Sequence, residues 1–194
     1  MTPGEENAAT QIRYWVWSGF HDREDVRAML VDFLEDEADE GDVDPVVVEA
    51  MVEPAFDRKE AAEADWPDVT PCDLLGDAFA DLNDAGICAL EYAGYTMAEG
   101  HAEVTAEVAE DPDGEDYFGY CFYHGQDVER AVDGQGLSIA FGTLGDDDAS
   151  GLEVGRVVTR RLRDAGFKVE WDGTLAQRIE LPRFDWKRRW NDDL

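Results

Sequence analysis

The chain has 194 residues and a formal net charge of −31, with 44% apolar and 11% aromatic residues. That charge disfavours nucleic acid and anionic membrane as partners and favours a basic protein or a saline solvent. The apolar content excludes a disordered chain, which needs low hydrophobicity as well as high charge, and no apolar run reaches the roughly 18 residues of a membrane span.

The acid is unevenly placed. Residues 1–116 hold 33 of the 47 Asp and Glu but 5 of the 16 Lys and Arg, whereas residues 117–194 are near balance. Residues 1–12 are expected to be a flexible start, and residues 13–68 an acidic helical hairpin. Asp22 is placed to cap a helix running to about Glu37, because Val26, Met29, Leu30, Phe33 and Leu34 recur at helical spacing. Its other face carries Asp25, Asp32, Glu35 and Asp36, the acidic face with which a partner would engage. After a charged connector, Asp44-Pro45 starts a second helix, with Val48, Met51, Val52, Ala55 and Phe56 inward and a break expected at Pro54.

Residues 69–194 read as an α+β domain. Asp73 is expected to cap a helix ending at Gly86, followed by a strand over 87–93 and an exposed acidic helix over 97–110. Aromatics over 117–123 favour a strand, with a short helix capped by Asp127 next. Leu137, Ile139 and Phe141 alternate as a strand. Ser150 and Glu153 have capping-box spacing ahead of the stripe Val154, Val157, Val158 and Leu162, and Gly166 ends that helix. Val169 with Trp171, and Ile179 with Leu181, supply two more strands. The expected architecture is a sheet of about five strands with helices packed on one face, preceded by the helical hairpin.

Several segments resemble a bacterial family of domains of unknown function. They are Trp15-Val-Trp-Ser-Gly-Phe20, Ala93-Gly-Tyr-Thr96, Tyr120-Cys-Phe-Tyr-His-Gly-Gln-Asp-Val-Glu-Arg130, Gly136-Leu-Ser-Ile-Ala-Phe-Gly142 and Val169-Glu-Trp-Asp-Gly173. The resemblance covers about residues 13–190 and implies one fold unit of that family, with no activity, catalytic residue or partner attached. Some relatives have a cysteine-rich stretch where this chain has Tyr95, Thr96, Met97, Ala98 and Glu99.

The candidate ligand site is His124, Gln126, Asp127 and Arg130 at a strand end and helix start, with His101 as a further member. Helix starts offer free N–H groups to anions, and a His oriented by a carboxylate is the usual base near neutral pH. The bland alternative is a helix cap with a satisfied imidazole. Three cysteines without C-x-x-C spacing read as reduced, buried thiols in a cytoplasm, and the start lacks a signal-peptide pattern. No metal and no cofactor is expected, and no catalytic set stands out. The sequence therefore favours a non-enzymatic acidic protein that engages a basic partner, in the manner of an immunity protein or nucleic-acid mimic. The alternatives are a small enzyme or ligand-binding domain built on His124, and acidity that is salt adaptation alone. The excess of Arg over Lys, 13 to 3, fits a salt-adapted or a GC-rich source.

Overall fold

Thr2 and Glu5 close a capping box, the Thr2 side chain accepting from Glu5 N at 3.2 Å and Glu5 accepting from Thr2 N at 2.9 Å. With Pro3 in the first turn, this starts helix α1, Pro3–Ser18, where the sequence suggests a flexible start. Ala8, Ile12 and Val16 form its buried stripe, and that burial outweighs the polarity of the first turns. The computed structural model describes residues 1–36, 43–145 and 147–190, the Asp36 side chain excepted. Most of the charged connector, together with Glu37 and Asp146, lies outside the described residues.

The chain divides into two compact units, residues 1–70 with the segment from Lys187, and Pro71–Trp186. In the first, α2 (Arg23–Asp36) begins at Asp22, whose Oδ1 accepts from Glu24 N and Asp25 N at 2.7 and 2.8 Å. α3 (Pro45–Glu49) and α4 (Val52–Glu63) follow. The break falls at Ala50-Met51 rather than at Pro54, which sits in the first turn of α4, where a missing N–H leaves no bond unmade. Ala8, Ile12, Val16, Val26, Leu30, Val48, Val52, Ala55 and Phe56 form one core.

In the second unit α5 (Pro71–Asp84) leads into a sheet of four strands, β1 (Ile87–Leu90), β2 (Gly119–Phe122), β3 (Leu137–Thr143) and β4 (Ile179–Leu181). They lie side by side in chain order. β1 and β2 are parallel, linked across α6 (Met97–Glu110); β2–β3 and β3–β4 are antiparallel, with α7 (Gly125–Val132) and α8 (Asp148–Asp164) in the connections. The fifth strand expected at Val169–Trp171 is a single bridge, Glu170 to Glu180, with both N–H···O bonds at 2.9 Å. Its chain turns away at once, because Asp172 Oδ1 accepts from Thr174 N and Thr174 Oγ1.

Helices cover both faces of the sheet, not one. Strand side chains alternate, so Gly119, Cys121 and Phe141 face one way and Tyr120, Phe122 and Ala140 the other. Val154 of α8 packs on Gly119, and Phe141 meets Gly155 of α8. On the opposite face Val104 of α6 joins Cys88, Phe122 and Ala140 in a second core. Both sets of strand residues are apolar, so each needs a cover. At the β1 edge, Asn83 donates to Ala89 O at 3.0 Å and accepts from Ala89 N at 2.8 Å, occupying backbone groups that a free edge would expose.

Candidate functional site

The segment singled out by sequence lies where β2 ends and α7 begins. The cap is His124, not Asp127. His124 Nδ1 accepts from Asp127 N at 3.3 Å, and Asp127 Oδ2 accepts from His124 N at 3.3 Å, a capping box built with an imidazole. Because Nδ1 accepts, the proton of the neutral ring is on Nε2, which lies 3.2 Å from Asp127 Oδ2.

The other N–H groups of this helix start are also taken. Gly125 N donates to Gly94 O at 2.9 Å and Gln126 N to Tyr95 O at 3.2 Å. The loop after β1 delivers these carbonyls by a tight turn in which Tyr92, at φ +54°, and Gly94, at φ +57°, adopt left-handed backbone. For Tyr92 that conformation costs about 1–2 kcal/mol, a cost that the bonds from Gly125 N and Gln126 N to this loop help to offset. The first turn of α7 therefore presents no unfilled N–H to an anion.

Arg178, just ahead of β4, completes the cluster. Its Nη1 donates to Asp127 Oδ1 and Oδ2 at 2.9 and 3.0 Å and lies 3.5 Å from His124 Nε2 and 3.8 Å from Met97 Sδ. His124 and Asp127 are 4% and 1% exposed. Burial holds the imidazole below its ordinary value of 6.5; Asp127 pulls the other way, Arg178 adds to the lowering and Glu99 opposes it. A second polar chain lies alongside, with Arg130 donating to Ser138 Oγ at 3.1 Å and Ser138 Oγ to Glu180 Oε2 at 2.7 Å. The register sets it, since Ser138 is the Cα partner of Glu180.

His101 does not converge with His124. Its exposed ring stands edge-on to Tyr120 and Phe122, with centroids 5.3 and 5.2 Å away, and among the described residues no hydrogen bond or ring contact joins the two histidines. Gln126 is exposed. Among the described residues no group of three or more His, Cys, Asp or Glu side chains is arranged to hold a metal ion. All three cysteines are buried, and none is in a disulfide. Burial pushes Cys88 up to about 11, with Glu107 and Asp111 adding to it, and raises Cys121 further, so neither is a thiolate near neutral pH.

The acids are arranged in rows. Residues 71–116 contain 13 Asp and Glu and no Lys or Arg. On α6, Glu99, Glu103, Glu107 and Glu110 repeat on one exposed side, continuing into Asp113, Glu115 and Asp116. Glu99 caps the helix, accepting from Tyr95 N and Thr96 N at 2.9 and 2.8 Å, which lowers its pKa. Glu103, Glu107, Glu110, Asp113, Glu115 and Asp116 have no cation within ion-pair distance among the described residues. On α5 the matching row is Asp73, Asp77, Asp81 and Asp84, where Asp81 pairs with Arg161 at 3.0 Å. In the first unit Asp25, Asp32 and Glu35 of α2 are exposed, while the Asp36 side chain is outside the described residues.

A domain family of unknown function, DUF6891, matches residues 3–190. The chain belongs to that family. No curated protein and no solved structure matches it. Sequence reasoning missed Arg178, which stands 51 residues from Asp127 with no local motif to mark it. It also read the α7 cap as Asp127, a common capping residue, where the residue three positions earlier does that work.

Proposed function

We propose that this family member is a non-enzymatic acidic binding protein whose partner is a basic protein, acting as an immunity-like inhibitor or a nucleic-acid mimic in the cytoplasm. The observation that carries the reading is the α6 row, six exposed carboxylates from Glu103 to Asp116 without a cation partner among the described residues. The α2 face of Asp25, Asp32, Glu35 and Asp36 is a second surface of the same sign. Protein surfaces ordinarily intersperse charges of both signs, and a one-sign row speeds encounter with an oppositely charged surface. The closed start of α7 supports the same reading, because the most suggestive site in the sequence is spent on holding the fold.

Capture from the native host's lysate at low and high salt, with wild type and with Glu103→Gln/Glu107→Gln/Glu110→Gln, tests it. A basic protein held by wild type at about 50 mM salt, released at about 500 mM and poorly held by the variant is the expected result. Equal capture of every protein at both salt concentrations would sink the charge-driven mechanism.

A further inference from the structure

A cavity of about 440 Å³ opens in the first unit between α2 and α4. Its walls are Asp22, Arg23, Glu24 and Arg27 of the α2 start, Phe56, Lys59, Glu60 and Glu63 of α4, and Trp190. The tail holds Trp190 at this position. Arg188 stacks over Phe20 at 4.0 Å, and Arg189 donates to Pro67 O at 3.1 Å and lies over Trp66. Gly19, at φ +79°, lets the tail close in, since a Cβ there would stand 2.5 Å from Arg188 O. Trp190 ends 41% exposed.

The cations in the walls are already neutralised. Arg23 pairs with Glu53 at 3.2 Å and Glu60 at 2.6 Å and lies over the Phe56 ring; Arg27 pairs with Glu49 at 2.9 Å and with Glu53; Lys59, 3% exposed, pairs with Glu63 at 2.9 Å. The lining itself holds four carboxylates (Asp22, Glu24, Glu60 and Glu63) and three cations, and Glu49 and Glu53 behind it pair with the same arginines. Glu24 has no cation partner among the described residues. An anionic guest would meet spent cations and surplus negative charge. A cationic one meets that surplus and the exposed indole of Trp190, the aromatic side chain that best attracts a guanidinium or ammonium. The volume lies at the lower end of ordinary ligand pockets and is ample for one long side chain.

We propose that this cavity receives an arginine or lysine side chain of the partner protein. The proposal rests on the reading above that the partner is basic, and it adds a specific anchor to a diffuse charge attraction.

The test is titration of an acetylated and amidated eight-residue peptide of arginine and glycine, followed calorimetrically and by tryptophan fluorescence. Wild type is compared with Trp190→Ala, Trp190→Phe, Glu24→Gln and the triple α6 variant. Trp190 and Glu24 are both exposed, so their replacements leave the core intact. The expected result is an affinity loss of about tenfold in Trp190→Ala, a smaller loss in Glu24→Gln, partial recovery in Trp190→Phe and little change in the α6 variant. Peptide binding that survives Trp190→Ala and Glu24→Gln but weakens in the α6 variant overturns the cavity proposal and leaves the basic-partner reading standing. Absence of peptide binding to wild type at low salt overturns the cavity proposal and counts against that reading too.

Discussion

Arg178 Nη1 donates to both carboxylate oxygens of Asp127 at 2.9 and 3.0 Å, tying the approach to β4 to the first turn of α7. Asp127 is 1% exposed, so this guanidinium is what makes its charge tolerable. Arg178→Met leaves a buried carboxylate without its counter-ion, and such orphans cost about 3–5 kcal/mol when fully enclosed. The Arg178 side chain is 31% exposed, so water softens the loss to about 2 kcal/mol. Adding Asp127→Asn to Arg178→Met removes the orphan charge while an amide oxygen still accepts from His124 N. Urea unfolding of the double variant should recover at least half of the lost stability.

Protonation of His124 should weaken the same corner. Nδ1 accepts from Asp127 N, so a proton there places two donors face to face and breaks the cap. The folded pKa is lowered by burial, with Arg178 adding to the lowering while Asp127 and Glu99 oppose it. A base whose folded pKa lies below its unfolded value stabilises fully above the unfolded value, here near 6.5, and loses that contribution as pH falls from there toward the folded value. His124→Asn keeps a side chain that caps helices well. Its unfolding free energy should vary less than that of wild type as the pH falls below about 6.5; parallel curves would show that His124 makes no pH-dependent contribution to stability.

How far these features were visible in the sequence depended on whether their causes were local. The bounds of α6 followed from its own pattern, and Thr96 with Glu99 closes a capping box there. At α8 local signals competed: Ser150 and Glu153 have the right spacing, yet Asp147 caps, accepting from Ala149 N and Ser150 N, and Ser150 Oγ itself donates to Asp147. The start of α1 was legible and overlooked, since Ala8, Ile12 and Val16 repeat every four residues behind a Thr-Pro cap. Arg178 was not legible at all. Its pairing depends on the β3–β4 register and on where α7 ends up, and neither leaves a mark near position 178. The second covered face of the sheet is hidden for a related reason: Ser138 and Ala140 read as the polar side of an alternating strand, yet Ala140 packs with Val104 of α6 and Ser138 is buried between Arg130 and Glu180.

Gly100 gives a prediction whose sign comes from packing. In an exposed helix Gly→Ala gains roughly 1 kcal/mol from propensity. Here a Cβ on Gly100 would overlap the Phe122 ring edge, and Phe122 is fully buried in the sheet. Overpacking of this kind costs about 1–3 kcal/mol and shifts backbone. Gly100→Ala should therefore lower the melting temperature by several degrees, whereas a gain in stability would mean that α6 lifts off the sheet without cost.

The α6 row gives the opposite sign. Glu103 and Glu107 stand four residues apart and Glu110 three further on, and like charges at these spacings repel. No Lys or Arg lies within residues 71–116 to offset them. Replacing all three with Gln should raise the melting temperature at low salt by about 2 °C. The gain should fade by about 0.5 M salt, where the screening length falls to a few ångströms. That outcome would mean that the chain holds charge at a cost in stability, as expected when the charge serves recognition. A variant less stable than wild type at every salt concentration would instead make these carboxylates part of the fold's own bonding. It would remove the observation on which the binding role rests.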